Sequence, residues 1–245
     1  MTRSRLSIFI AAVAALGSFG CSRRVPVATV VLVDPSASVT ERARRDEFAA
    51  VATLIPRMQR GDLLTIIPIT DNAAAAIEGR VLRFHAPERR EAYDADLRRF
   101  QTDAGKQHAE FAANLLAHPG RRTDILGAPD VASQEFEGIP TAYRRTLIVL
   151  SDFLEDDGTL HFGTDSHLSN TLSAANYPRQ TAGIRKFKLE AIPAYLGKLE
   201  NADAQKLSPN RQAALKVFWV QYMSRQNYQA EVRYDGTALF ILPAS

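Results

Sequence analysis

Five oxygen-bearing side chains in this sequence could together hold a metal ion. Residues 34–38 read Asp-Pro-Ser-Ala-Ser, so a carboxylate and two hydroxyls are spaced two residues apart and one loop can turn them to the same side. A threonine follows in the segment 121–127, and a second aspartate follows the serine at position 151. An oxygen-only donor set suits Mg²⁺ or Mn²⁺ and suits zinc poorly. The candidate ligands are Asp34, Ser36, Ser38, Thr123 and Asp152.

Two predicted strands position the aspartates of this set. Residues 27–33 read VATVVLV, a β-branched run that is typical of a strand buried on both faces of a parallel sheet, and Asp34 follows it directly. A second apolar run at 146–150 ends just before Ser151 and Asp152. Ligands of open α/β sheets bind beyond the carboxyl ends of the strands. We therefore expect Asp34 and Asp152 to lie at the same edge of one sheet.

Helical and strand patterns alternate along the rest of the chain. We predict further strands at 63–69, 79–84 and 186–194, and helices over 39–60, over 88–117 and from 208 onward. The strands at 63–69 and 79–84 are close enough to pair antiparallel, and Asp235-Gly236 is typical of a hairpin turn between 230–234 and 237–242. Strands that alternate with helices predict a sheet covered on both faces. The predicted fold class is α/β, a doubly wound, mostly parallel sheet with one antiparallel edge strand.

The three motifs together resemble the von Willebrand factor type A (vWA) domain family with its metal-ion-dependent adhesion site (MIDAS). That family has Asp-x-Ser-x-Ser after the first strand, a threonine in a later loop and an aspartate after the fourth strand, and the resemblance covers roughly residues 26 to 242. It implies a Rossmann-like fold, serines and a threonine that touch the metal, and aspartates that act through water. It further implies a metal that accepts an Asp or Glu carboxylate from a protein partner.

The sequence departs from the family pattern at several places. Phe153 stands where the family often has glycine, and the acidic run 155–157 could supply another ligand or repel an acidic partner. The segment 86–122 is longer and more charged than a minimal vWA domain needs, and no helical pattern follows the last predicted strand. Arg121 and Arg122 border the candidate site, where they could attract an acidic ligand.

The first twenty residues have the pattern of a secretory signal. A basic start is followed by an apolar run at 6–16, which is too short to span a bilayer because a spanning helix needs about 20 residues. Cys21 follows this run and resembles the acylated first residue of a bacterial lipoprotein; an ordinary cleaved signal with an incidental cysteine is the alternative. We predict a signal peptide at 1–20, a tether at 21–25 and one vWA-like domain at 26–245. Ser22 after Cys21 would favour anchoring in the outer membrane of the cell envelope.

Composition excludes several function classes. The formal net charge is +3, and removal of Arg3 and Arg5 with the signal would leave +1, so bulk charge does not argue for nucleic acid binding. The single cysteine excludes an intramolecular disulfide and any zinc site built on several cysteines. Hydrophobic residues make up 46% and charged residues 23% of the chain, as in globular proteins.

The sequence is compatible with three functions. The first is a non-enzymatic, exported binding module that captures a partner's carboxylate through Mg²⁺, Mn²⁺ or Ca²⁺; no nucleophile–base pair and no phosphate-binding loop occurs. The second is a Mg²⁺-dependent phosphohydrolase with Asp34 as nucleophile, although Ser36 stands where such enzymes carry a second aspartate. The third is a structural envelope scaffold with a vestigial metal site. A simpler interpretation of the first motif makes Ser38 the cap of the helix at 39–60.

Overall fold

The computed structural model describes residues 24–71, 81–88, 93–156, 160–178, 192–225 and 233–234. Its centre is a six-stranded sheet with the order β3-β2-β1-β4-β5-β6. The strands are β1 (Val27–Val33), β2 (Leu63–Pro68), β3 (Leu82–His85), β4 (Arg144–Ser151), β5 (Ala194–Lys198) and β6 (Arg233–Tyr234). Neighbouring strands are parallel except β2 and β3, which pair antiparallel at the sheet edge. The predicted α/β fold with one antiparallel edge strand is confirmed.

Helices cover both faces of the sheet. They are α1 (Glu41–Ala52), α2 (Tyr93–Ala117), α3 (Ala128–Glu137), α4 (Thr171–Asn176), α5 (Ala202–Lys206) and α6 (Pro209–Arg225). Alternate residues of β1 point to opposite faces, so Val30 and Leu32 join one apolar cluster with α3 and α6, while Val31 and Val33 join another with α1 and α2. This is why every position of the strand except Thr29 is apolar. Among the described residues, no helix is long and apolar enough to cross a membrane.

The register of the central strands brings their carboxyl ends level with one another. Val33 at the end of β1 lies beside Pro68 of β2 and beside Leu150 of β4. Asp34 after β1 and Asp152 after β4 therefore lie side by side at the carboxyl edge of the sheet, as the sequence predicts.

Several element boundaries differ from the sequence prediction. The helix predicted over 39–60 begins at Glu41, because the Thr40 side chain accepts the amide hydrogen of Ala43, and it ends at Ala52. A 3₁₀ turn at Ile55–Arg57 follows, where Pro56 prevents a continued α-helical hydrogen-bond pattern. Since Thr40 is the cap, the interpretation of Ser38 as the capping residue is wrong.

The predicted fifth strand is misplaced along the chain. The strand expected at 186–194 is observed at Ala194–Lys198, and residues 186–191 lie outside the described part of the chain. The helix expected over 88–117 is observed at Tyr93–Ala117, and the strand expected at 79–84 is observed at Leu82–His85. Arg233–Tyr234 pairs parallel to β5, whereas the rest of the expected terminal hairpin and the signal segment lie outside the described residues.

Candidate metal site

Asp34 organises the loop that follows β1. Its side chain is completely buried; Oδ1 accepts the backbone amide of Ser36 at 3.1 Å and Oδ2 accepts the Ser151 hydroxyl at 2.7 Å. Its own amide donates to Oε1 of Glu47 at 3.0 Å. Asp34 therefore bends the chain immediately after the strand and ties that bend to the end of β4.

A chain of hydroxyl groups connects this loop to the second aspartate. Ser36 Oγ lies 2.8 Å from Ser38 Oγ, and Ser38 Oγ donates to Oδ2 of Asp152 at 2.8 Å. The same carboxylate oxygen accepts the amide of Asn201, and its Oδ1 accepts the backbone amide of Leu154 at 2.8 Å. Residues separated by 114 positions in the sequence are thus in direct contact.

The loop that carries Thr123 packs against the same place. The carbonyl of Gly120 accepts the amide of Ala37 at 2.8 Å, which joins this loop to residues 34–38. Thr123 is buried, and with Ser36 and Ser38 it lines a cavity of about 200 Å³ at the carboxyl edge of the sheet. The structure therefore brings the three predicted hydroxyl ligands to one cavity, with the two aspartates held beneath it.

The buried carboxyl groups of this site disfavour one another's charge. Burial, and then the charge of the neighbouring Asp152, raise the pKa of Asp34 to about 7, while hydrogen bonds from Ser36 and Ser151 act against this rise. Burial also raises the pKa of Asp152, opposed by its hydrogen bonds and by the charge of Lys198. Burial and then Asp34 raise the pKa of Glu47 well above its usual range. The site therefore concentrates acidic groups that need a compensating positive charge.

The donor chemistry fits a hard divalent cation. Two buried carboxyl groups and three hydroxyl groups supply oxygen ligands only, which is the set that Mg²⁺ and Mn²⁺ prefer. Among the described residues, neither Asp34 nor Asp152 forms an ion pair with a lysine or arginine. The Arg44 guanidinium lies nearby, but it donates to the backbone carbonyls of Ser36 and Val39. A bound cation would supply a positive charge in direct contact with the site, which no lysine or arginine of the described residues does for Asp34 or Asp152.

The acidic run after β4 has two different environments. Glu155 is buried, lines the cavity and accepts the amide of Leu126 through Oε2 at 2.9 Å. Asp156 is half exposed and lies 3.0 Å from Nδ1 of His161. Arg121 and Arg122 are exposed and line the same cavity. The cavity lining thus combines exposed cationic side chains with acidic ones.

The turn after Asp152 contains a strained residue. Phe153 has φ of 60°, the left-handed conformation that glycine adopts readily and that costs other residues about 1–2 kcal/mol. Its ring is completely buried with its centroid 5.5 Å from that of Trp219, and its carbonyl accepts the indole N–H at 2.9 Å. Packing against α6 holds the turn. Phe153 therefore keeps the backbone shape that glycine would favour here.

Sequence reasoning missed four polar residues of the site. They are Glu47, Arg44, Ser151 and Asn201. Asn201 also caps α5, because its side-chain oxygen accepts the amide of Asp203 at 2.6 Å. Asn before Ala-Asp-Ala-Gln-Lys is a recognisable helix-cap signal. Because the fifth strand is predicted too early in the chain, the sequence does not predict that Asn201 lies at the same sheet edge as Asp152. Glu47 and Arg44 lie on the inner face of α1 and have no local sequence signal.

Several solved structures are similar to this chain at low sequence identity. They include BatB from Bacteroides thetaiotaomicron, with 12% identity over 71% of this chain and 66% of that one and a TM-score of 0.37. An aerotolerance-related membrane protein from Bacteroides fragilis has 11% identity over 87% of this chain and 95% of that one, with a TM-score of 0.38.

A third similar structure is a von Willebrand factor type A protein from Catenulispora acidiphila, the family that the sequence motifs resemble. It has 14% identity over 82% of this chain and a TM-score of 0.38, and this chain spans 43% of its length. No protein-family model and no curated protein matches the chain. The residues of the candidate metal site are therefore assigned from this chain's own contacts.

Proposed function

We propose that this chain is an exported, lipid-anchored vWA-like domain that binds a protein partner through a divalent metal ion, with Mg²⁺ preferred over Mn²⁺ or Ca²⁺. The observation that carries the proposal is the pair of buried aspartates, Asp34 and Asp152, joined to a serine hydroxyl chain that reaches a surface cavity. Buried carboxyl groups without a cationic partner are costly unless they stay protonated or meet a metal.

The residues have separable roles toward the ion. Ser36, Ser38 and Thr123 line the cavity, so their hydroxyl oxygens are the ligands best placed to touch the metal. Asp34 and Asp152 lie below them and orient this layer through the Ser36 amide and the Ser38 hydroxyl. With neutral direct ligands, a bound Mg²⁺ would keep enough positive charge to accept a further carboxylate.

The cavity favours an acidic protein ligand. The exposed Arg121 and Arg122 in its lining attract a negatively charged side chain, and Asn201 adds a polar wall. An Asp or Glu side chain supplies one oxygen for the metal and a second for the arginines. The chain's small net charge gives no reason to propose nucleic acid as a partner.

The geometry speaks against Asp34 as the nucleophile of a phosphohydrolase. A nucleophilic carboxylate needs an open oxygen in line with the phosphorus, whereas Asp34 is completely buried and both of its oxygens accept hydrogen bonds. Turnover of a chromogenic phosphate ester that the substitution Asp34→Asn abolishes would favour the enzyme over the binding module.

Calorimetry of Mg²⁺ binding to the mature chain tests the proposal. Ser36→Ala removes one hydroxyl ligand and is expected to weaken binding by at least about tenfold. Ser133→Ala is the matched control, because Ser133 is equally buried but lies in α3 away from the cavity. Equal, negligible heat for the wild type and both variants would contradict the proposed metal site. A partner pull-down that is unchanged by a chelator would instead support a structural scaffold with a vestigial metal site.

Export and lipid anchoring rest on the sequence pattern before the described residues. Cys21 follows the apolar run of the signal segment and is the only cysteine of the chain. Mass spectrometry of the protein from bacterial membranes is expected to find an acylated Cys21 as the first residue. An unmodified cysteine, or a chain that begins elsewhere, would contradict the anchor without bearing on metal binding.

A further inference from the structure

A second and larger cavity lies at the opposite edge of the sheet. It has a volume of about 510 Å³ and opens between the amino ends of β1, β2 and β4 and the start of α2. Its apolar wall includes Leu54, Met58, Leu64 and Leu97, and its polar wall includes Arg57 and Arg144. The metal site uses none of these residues.

The two arginines are available to a ligand. Arg57 and Arg144 are both exposed, and neither guanidinium forms an ion pair within the part of the chain that the structure describes. A guanidinium group binds phosphate oxygens through two parallel hydrogen bonds. Two such groups beside an apolar wall match a ligand with a phosphate at one end and hydrocarbon at the other.

The point where the chain enters the domain is fixed beside this cavity. Both guanidinium NH groups of Arg24 donate to Asp62, each at 2.9 Å, and Asp62 also accepts the backbone amides of Val27 and Gln59. Arg24 and Asp62 both line the cavity. This contact set holds the residues before β1 at the cavity rim.

The chain between this rim and the proposed anchor is short. Cys21 precedes Arg24 by three residues, and three extended residues reach at most about 10 Å. Val25, one of the exposed large hydrophobic residues, lies in the same entry segment with 56% of its surface accessible. An acyl chain on Cys21 would therefore hold this cavity close to the membrane surface.

We propose that the cavity at the amino edge of the sheet binds the phosphate headgroup of an anionic phospholipid in the membrane that carries the Cys21 anchor. The inference rests on the proposed anchoring. Arg57 and Arg144 contact the phosphate, and the apolar wall contacts the adjoining hydrocarbon. Because the seven residues of β1 span about 23 Å from this edge to the metal site, the domain presents that site away from the bilayer.

Vesicle sedimentation of the unacylated mature chain, made by cell-free synthesis from Cys21 onward without the signal segment, tests the cavity. Wild type is expected to prefer vesicles of phosphatidylcholine mixed with phosphatidylglycerol over vesicles of phosphatidylcholine alone. A basic residue near an anionic surface contributes about fivefold in affinity, so Arg57→Gln with Arg144→Gln should reduce this preference by about 25-fold. The matched control is Arg42→Gln with Arg45→Gln, which removes the same charge from exposed positions of α1 near the carboxyl edge.

Several results would overturn the inference. An equal loss in the control pair would show that overall charge, not the cavity, governs binding, and equal sedimentation of wild type with both kinds of vesicle would show no headgroup recognition. Binding of inorganic phosphate alone by the two arginines, without any vesicle preference, would identify a soluble ligand instead. Because the chain in this assay is unacylated and Mg²⁺ binding is measured separately, failure of the anchor or of the metal site leaves the result readable.

Discussion

Both edges of the sheet bury carboxylates, but they compensate the negative charge in opposite ways. At the amino edge, Asp62 meets the guanidinium of Arg24 through two hydrogen bonds and accepts two backbone amides as well. At the carboxyl edge, Asp34 and Asp152 meet hydroxyl and amide groups. The charge of Asp62 is therefore neutralised by Arg24 within the protein, whereas Asp34 and Asp152 still favour an added cation.

This difference separates a structural role from a binding role. The Asp62 contacts hold the entry of the chain against the start of β1 and leave its carboxylate oxygens fully engaged. The contacts of Asp34 and Asp152 instead order hydroxyl groups that line a cavity. Substitution of Asp62 should therefore change stability, and substitution of Asp34 or Asp152 should change the response to metal.

The largest effect is expected at the amino edge. Asp62→Asn replaces one carboxylate oxygen, which accepts hydrogen bonds, with an NH₂ group that cannot accept them, and it removes the charge that pairs with Arg24. The free energy of unfolding should therefore fall by about 3 kcal/mol. The loss should be the same with Mg²⁺ and with a chelator, as measured by denaturant unfolding. Asp46→Asn on the exposed face of α1 is the control and should change stability little. A loss that appears only with Mg²⁺ would break the distinction between the two edges.

A metal-dependent gain in stability is expected at the carboxyl edge. Mg²⁺ at 100 times its dissociation constant should raise the free energy of unfolding of the wild type by about 2.7 kcal/mol, because only the folded chain forms the site. Asp34→Asn should lose this gain while changing metal-free stability much less than Asp62→Asn does. Equal stabilisation of wild type and Asp34→Asn by Mg²⁺ would show that the ion binds elsewhere.

The pH dependence of stability should also differ between the two edges. Burial raises the pKa of Asp34 from 3.8 to about 7, so the folded chain holds a proton that the unfolded chain releases. Stability from this group is present below pH 3.8 and is lost as the pH rises to about 7, with a slope below about 1.4 kcal/mol per pH unit.

Denaturant unfolding without metal, measured across this pH range, checks the sign of the effect. Asp34→Asn should flatten the slope, and Asp46→Asn should leave it unchanged. Saturating Mg²⁺ should also reduce the fall in stability, because the ion displaces the proton and compensates the carboxylate. Stability that rises with pH in the metal-free wild type would contradict a raised pKa at this edge.

Much of the carboxyl edge could be predicted from the sequence because its signals are local. The apolar run 27–33 identifies a central strand, and polar residues directly after it must lie at a sheet edge. Parallel pairing of β1 with β4 then places Asp152 beside the loop of Asp34. The sequence does not predict the polar contacts of Asn201, because Gly197 weakens the strand pattern of β5 and the pattern at 186–194 predicts the strand too early in the chain.

No local sequence pattern predicts the cavity at the amino edge. Arg24, Arg57 and Arg144 are far apart in the sequence, and each lies in a segment where an arginine is ordinarily solvated. Only the packing of the 3₁₀ turn and α2 against the strand starts brings them around one cavity. The Arg24–Asp62 pair likewise depends on tertiary structure, since 38 positions separate its partners.

The smallest expected effect sharpens what the amino edge requires. Arg24→Lys keeps the positive charge next to Asp62 but replaces two parallel hydrogen bonds with one point contact, so stability should fall by about 1 kcal/mol. Denaturant unfolding measures this loss, and Mg²⁺ calorimetry should show unchanged affinity because Arg24 lies at the opposite end of β1. A stability equal to that of the wild type would mean that charge alone holds the chain entry. A fall near that of Asp62→Asn would mean that the paired geometry, rather than the charge, carries nearly all of the stabilisation.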